Sequence, residues 1–487
     1  MTATSSPTGA YRLCPKCRSR MPVETRLCHR CFTRLGPEHE VAGEAPTEGT
    51  EYLTKTSRLI LAARRRHRQL LRWSAAILLV VVVLIGWWVY RQFIWEPSPI
   101  PLPTSARELP AAGVIWPLEH GSPGATRSTS AAASLDGEIA WSVELGAPIT
   151  TSLTSDGERI FVGLADARVL ALSVEDGSEL WSRKVPGQLD VAPTVADGVI
   201  YVAQRDGLVL ALDPATGDQI WAYNGGGPHF TAPVPFRGTL YTAGQRVLRG
   251  LDADSGALLW ERKGLGNEDF TIQPVMEDEK VILAVSTRLY FHDRLTMHRE
   301  NAFRTSRMRH IAVEDDAIVG VSQREIVVVD QASTPYAWDG IPLARSVWGQ
   351  LFLWSIAPAL PRDSNLWTER IRESNALPLA PAIDEGRLFV ALASGEVRAR
   401  GLRDGTELWT REAGERITGD PLLTADGLLL QVGSSLLLLD PATGEELARR
   451  ALGDETISQV IVTEGGTYSA VGVTGMIRGR ATLLALR

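Results

Sequence analysis

Four tryptophans, Trp141, Trp181, Trp221 and Trp260, fall 40, 40 and 39 residues apart, and nothing else in the 487-residue chain constrains its fold so tightly. Between them one order recurs: a strand-like run, a D-G turn, second and third runs ending in Asp, a T-G turn, and a run carrying the Trp. A repeat of about 40 residues with four short strands cannot bury its apolar face alone. It must stack radially on its neighbours, which is the signature of a β-propeller. Trp338 follows at twice 39 residues, and Trp409 marks a further copy.

The clearest copy is VIYVAQRDGLVLALDPATGDQIW, from Val199 to Trp221. In it, Asp213 can accept backbone N–H bonds of the turn and Gly217 can take a positive φ. The indole of Trp221 can pack on the neighbouring blade while its N–H finds a partner. These are structural roles, and the repeated residues are assigned no site.

The run Ala211-x-Asp213-x-x-Thr216-Gly217-x-x-x-Trp221 resembles the tryptophan-docking motif of pyrroloquinoline-quinone (PQQ)-type propellers. Weaker copies run from Ala171 to Trp181, from Gly250 to Trp260, and into Leu408-Trp409 after Gly405; after Asp440-x-x-Thr443-Gly444 the Trp position holds Ala448. Trp116-Pro117 with Thr126 and Arg127 resembles the lead-in strand of such domains. The resemblance covers residues 113–487 and implies an all-β PQQ-like propeller of eight four-stranded blades. Ile341 to Glu369 reads as a degenerate unit that would bring the count to nine. Ala481 to Leu486 resembles a third strand and Glu138 to Leu145 a fourth, so the two ends are expected to share one blade and remove a free edge.

Upstream, Trp73 to Tyr90 is an 18-residue run without charge. As a helix it would be about 27 Å long, close to the hydrocarbon thickness of a bilayer. Trp73 at one end and Trp87, Trp88, Tyr90 and Trp95 at the other suit the two interfaces, so residues 73–95 are expected to be a transmembrane helix. Lys55, Arg58, Arg64, Arg65, Arg66, Arg68 and Arg72 precede it, with no acidic residue between Tyr52 and Trp95. The positive-inside bias places the N-terminus in the cytoplasm and all that follows outside, in a single-pass inner-membrane protein. A cleaved signal fits poorly, because the run starts about 70 residues into the chain and lacks a small-x-small site directly after it. Residues 56–72 form a basic juxtamembrane segment that reads as a topology determinant or as an amphipathic helix on anionic lipid. Residues 96–112, with Pro97, Pro99, Pro101, Pro103 and Pro110, read as a semi-rigid spacer.

Charge divides the chain in the same place. The whole carries −7 and residues 1–95 carry +9, leaving −16 on the remainder, a balance that argues against nucleic acid as a partner of the propeller.

All four cysteines lie within the first 31 residues, as Cys14-Pro-Lys-Cys17 and Cys28-His-Arg-Cys31. Two C-x-x-C turns on a short hairpin can close a tetrahedron of four thiolates, the ligand set of structural zinc, and the stretch 11–36 resembles a small zinc ribbon. Such a site has no open position for a substrate. Lys16, Arg18, Arg20, Arg26, Arg30 and Arg34 are expected to lower the thiolate pKa values, and His29 reads as a bystander. Residues 37–55, acidic and poor in large apolar groups, read as a flexible linker.

Two functions follow from the PQQ-like resemblance. One is a PQQ-dependent quinoprotein dehydrogenase, a class that binds quinone and calcium through carboxylates and amides and often stacks the cofactor on an adjacent-cysteine disulfide. No cysteine follows Cys31, and the compact 39- to 40-residue blades leave little room for the insertions that build such a site. The expected function is therefore non-enzymatic. In it, a protein-interaction scaffold or sensor resembling the propeller lipoprotein of the outer-membrane β-barrel assembly machinery and PQQ-like sensor domains is coupled to a cytoplasmic zinc ribbon, with partners the sequence does not name. His292 and His298 lack a helical metal spacing, and Arg304 to His310 is a basic cluster that reads as a solvated loop or a grip for an anion.

Overall fold

The computed structural model describes residues 9–43, 67, 69–70, 72–87, 99–103, 116, 118–133, 135–229, 231–263, 270–277, 279–285, 288–331, 350–351, 365–371, 377–453, 457–472 and 481–487. The chain divides into two compact units, Met1–Glu96 and Pro97–Arg487.

In the first unit a three-stranded antiparallel sheet places Ala10–Leu13 between Arg20–Pro22 and Glu40–Ala42. Arg12 of the middle strand donates from Nε and Nη2 to the Glu40 carboxylate at 3.1 and 2.7 Å. The core beneath is four side chains, Cys14, Met21, Cys28 and Leu35, too few to hold a fold by burial alone. Further along, residues 72–87 are helical, and every one of them is exposed. No helix among the described residues is long and apolar enough to cross a membrane. The rest of the expected span, from Trp88 onward, lies outside the described residues, as do most of the expected linker, the juxtamembrane segment and the spacer.

The second unit holds eight four-stranded antiparallel sheets. Blades 1 to 4 span residues 154–184, 194–224, 234–263 and 275–304; blades 5 to 7 span 308–370, 382–412 and 422–451. Blade 8 combines Ile457–Thr463, Gly466–Gly472 and Ala481–Leu486 with Ile139–Leu145 as its fourth strand, Trp141 facing Ala485. The expected closing blade and the count of eight are both present. First strands such as Thr194–Ala196 are buried, whereas fourth strands such as Gln219–Asn224 alternate exposed and covered side chains, as a strand with one solvent face must.

Two expectations require correction. Ile341 to Glu369 is not a unit of its own, because Asn365–Arg370 pairs with Glu325–Asp330 as the fourth strand of blade 5. The docking tryptophan of that blade is Trp367, opposite Val328, rather than Trp338, which lies outside the described residues. The chain between the third and fourth strands of blade 5 is long, and by coincidence it places Trp338 on the period.

The indoles stitch blade to blade. Nε1 of Trp141, Trp181, Trp221, Trp367 and Trp409 donates to the carbonyls of Val174, Pro214, Ala253, Leu402 and Pro441 at 2.8–3.2 Å, each in the turn of the following blade. The residue across the strand pair leaves room for the ring: Ala485, Ala171, Ala211, Gly250, Val328 and Ala399 face the six tryptophans. Where the tryptophan is missing, at Asn301 and Ala448, the facing residue is large, Phe291 or Leu438. Bulk is conserved across each pair, which keeps the blade interface filled.

Candidate functional site

The lead-in segment crosses the first strands of five blades. Trp116 exchanges backbone hydrogen bonds with Ser155 of blade 1 at 3.1 and 2.8 Å. The carbonyls of Pro123, Gly124, Thr126 and Arg127 then accept from Met276, Val313, Ile383 and Leu423, of blades 4, 5, 6 and 7, at 2.8–3.0 Å. First strands are the part of each blade nearest the axis, so Trp116 and residues 118–129 line the propeller's centre.

Under that segment lies a polar cluster. Arg127, 6% exposed, donates from Nε to the Pro421 carbonyl at 3.0 Å and lies 3.5 Å from the Asp420 carboxylate. Its Nη1 also approaches the Glu119 carbonyl and His120 Nδ1, both at 3.4 Å. Burial disfavours the Asp420 carboxylate, but Arg127, the two histidines and the Ala380 N–H together outweigh it and hold the pKa down at about 2. Burial, with Arg127 adding to it, pushes His120 down to about 3, so the imidazole is neutral and can accept from Arg127. Glu119 is raised by burial, since Arg127 bonds its carbonyl rather than its carboxylate, which receives only the Ser152 hydroxyl at 3.3 Å. The His310 ring stands edge-on to His120 at 6.4 Å. Gln459 spans blades 8 and 1, accepting from Leu153 N–H at 2.9 Å and donating to the Thr151 carbonyl at 3.1 Å. Glu119, Arg127, Ser152, Asp420 and Gln459 line a pocket of about 200 Å³.

Of this cluster the sequence signalled Arg127, as part of the lead-in motif, and His310 in the basic run. His310 belongs to Met308–Glu314, the first strand of blade 5, so the run from Arg304 is not a solvated loop: alternation of buried Met308 and exposed Arg309 marks a strand. Glu119, His120 and Asp420 were missed. A signal existed in the first-strand register, where Asp420-Pro421 and Gln273-Pro274 stand where other blades have Ala192-Pro193, Ala232-Pro233 and Ala380-Pro381. Buried His292 meets the Met297 carbonyl at 3.2 Å, and no metal-ligating group among the described residues includes it or His298.

The second candidate is the cysteine cluster. Cys14, Cys17, Cys28 and Cys31 bring their sulfurs within 4.8 Å of one another, with neighbouring Sγ atoms 3.4–3.5 Å apart. A tetrahedron with metal–sulfur bonds of about 2.3 Å has edges of about 3.8 Å, so the four thiols stand close to the arrangement one metal ion needs. Each C-x-x-C closes a matching knuckle. Arg18 N–H donates to the Cys14 carbonyl and Phe32 N–H to that of Cys28, while Cys14 and Cys28 N–H reach Ser19 and Thr33, all at 2.8–3.0 Å. The side chain and N–H of Ser19 pull Cys17 down to about 6, and those of Thr33 lower Cys31. Burial pushes Cys28 up to about 12. The surrounding arginines, expected to lower these values, are not the source: the hydrogen bonds of the knuckle are. His29 is exposed and outside the cluster.

The propeller and its stitched tryptophans define a PQQ-like repeat protein. A family model described as outer membrane protein assembly factor BamB matches residues 127–340 and 356–477, and the chain belongs to that family. Among solved structures it is similar to the quinohemoprotein alcohol dehydrogenase ADHIIG from Pseudomonas putida HK5, at 11% identity and TM-score 0.56 over 76% of this chain and 80% of that one. A europium-containing methanol dehydrogenase matches at 12% identity and TM-score 0.56, over 77% and 98%. BamB from Moraxella catarrhalis matches at 14% identity and TM-score 0.47, over 80% and 100%. At these identities the likeness concerns the fold. No curated protein matches the chain in sequence.

Proposed function

We propose that the chain is a non-enzymatic, single-pass membrane protein, anchored by residues 73–95 with its N-terminus in the cytoplasm. Its propeller, outside, offers a face to another protein, and Cys14, Cys17, Cys28 and Cys31 close a structural zinc site within. The observation that carries the scaffold reading is the use made of the central polar groups. Arg127, Asp420 and Gln459 spend their hydrogen bonds on backbone of the lead-in segment and of adjoining blades. The description of the family, an assembly factor, agrees with a role in holding other proteins. Four soft donors on two knuckles suit zinc, and metal binding would supply the folding energy that the small ribbon core lacks.

The test adds PQQ and calcium to the purified full chain. The expected result is an unchanged propeller melting temperature and no reduction of an artificial acceptor dye by alcohols. A raised melting temperature with dye reduction would overturn this reading in favour of a dehydrogenase.

A further inference from the structure

The two knuckles of the ribbon share backbone geometry and hydrogen bonds, so each is a control for the other. In both, the residue after the second cysteine takes the left-handed conformation that favours glycine: Arg18 at φ 54° and Phe32 at φ 60°. A bulky residue there is an outlier. Phe32 carries a second cost, because its side chain is 76% exposed. The knuckle itself does not require an aromatic, since Arg18 closes the other one with the same bonds. Leu27, paired with Arg34 across the same hairpin, is 46% exposed and adds a second apolar side chain to that knuckle.

The charge around it is predominantly positive. Lys16, Arg18, Arg20, Arg26, Arg30 and Arg34 are exposed, against carboxylates at Glu24, Glu38 and Glu40, and Arg12 engages Glu40. An exposed aromatic among diffuse basic groups needs no shape complementarity from what it meets, which suits an anionic lipid surface better than a structured protein pocket. Residues 44–66 connect the ribbon to the helical segment and cannot span more than about 80 Å, so the ribbon is held near any membrane that segment enters, and weak contacts suffice.

We infer that the Phe32 knuckle docks on the anionic membrane surface beside the chain's own anchor, Phe32 and Leu27 entering the head-group layer and the arginines meeting lipid phosphates and carboxylates. This inference rests on the proposed anchoring by residues 73–95.

The experiment uses the full chain in nanodiscs of neutral lipid, or of lipid containing about one-third phosphatidylserine, and follows amide hydrogen exchange over residues 26–34. Exchange is expected to slow several-fold on anionic discs alone, and to recover at about 1 M salt, where the Debye length is about 3 Å, or in Phe32→Gly. Phe32→Gly should keep its bound metal, which separates docking from folding of the ribbon. Equal exchange on both lipids overturns the inference, as does slowing that needs an added acidic polypeptide, which would assign the surface to a protein partner. Alkaline carbonate extraction of native membranes tests the anchor separately. A chain that is released, yet still sediments with anionic vesicles through Phe32, supports docking and removes the anchor; one that is retained but shows no lipid-dependent exchange does the reverse.

Discussion

Gly217 lies against the indole of Trp181 so closely that a Cβ on it would sit 2.7 Å from the ring. The same relationship joins Gly177 to Trp141, Gly256 to Trp221, Gly405 to Trp367 and Gly444 to Trp409, each glycine with φ between 68° and 75°. Two demands meet at one atom: the turn needs a positive φ, and the previous blade's indole needs the space. Gly217→Ala is therefore expected to cost about 2–4 kcal/mol, combining a strained backbone with overpacking, as read by urea denaturation of the propeller. A loss below about 1 kcal/mol would show that the interface yields easily.

Blade 4 is the exception and supplies its own comparison. Met297 stands at the glycine position with φ 51°, and Nε1 of Trp260, which packs with it, is buried without a partner. Trp221 by contrast donates to the Ala253 carbonyl at 3.2 Å. Replacing each by Phe removes similar bulk but only one hydrogen bond, so Trp221→Phe should destabilise by roughly 1 kcal/mol more than Trp260→Phe. Equal melting shifts would mean that the indole N–H bonds add nothing to the stitching.

The repeats were legible because each blade restates one local solution, and the period, the shared closing blade and the T-G turns all follow from it. The exceptions were not, for a physical reason. Trp338 and Trp367 both suit a period that tolerates insertion, and only Leu366, the aliphatic neighbour that Trp181, Trp221 and Trp409 also have in Leu180, Ile220 and Leu408, distinguishes the true one. The central cluster was harder, since Glu119, Arg127, His310 and Asp420 lie far apart in the chain and meet only once the ring is closed. The cysteine cluster needed no such closure, and its spacing alone brought the four residues together.

The central polar cluster makes the propeller's stability depend on pH. His120, held near 3 in the fold against an ordinary 6.5, stays neutral while the unfolded chain takes up a proton, so stability falls as pH drops from about 6.5 toward 3. His310, also lowered by burial, acts in the same direction. Asp420, at about 2 against 3.8, adds stability that is lost only below about pH 4, while Glu119, raised, favours the fold at lower pH. Subtracting the melting profile of His120→Gln isolates the first contribution: the wild-type slope between pH 4 and 6 should exceed the variant's by up to about 1.4 kcal/mol per pH unit. Parallel profiles would contradict a lowered His120 pKa in the fold.

Metal removal should act on one unit only. Chelator, or Cys28→Ser, is expected to abolish binding of one zinc per chain and unfold residues 9–43 while the propeller melts as before, checked by elemental analysis with calorimetry of the full chain. A shift of both transitions would mean that the units depend on each other.

If the proposed topology holds, protease added outside intact spheroplasts should cut in the spacer between Glu96 and Gly113 and release the propeller while the ribbon stays protected. Cleavage confined to inverted vesicles would reverse the orientation.

The pairing of Trp141 with Ala485 also sets a schedule. Ile139–Leu145 is made long before Ala481–Leu486, the strand it joins. Until Ala481–Leu486 arrives, the fourth strand of blade 8 has no neighbour and Trp141 cannot complete its packing. Assembly of the ring therefore waits until Ala481–Leu486 has been made, and a ribosome that stalls before Ala481 leaves an open edge that a quality-control protease can recognise.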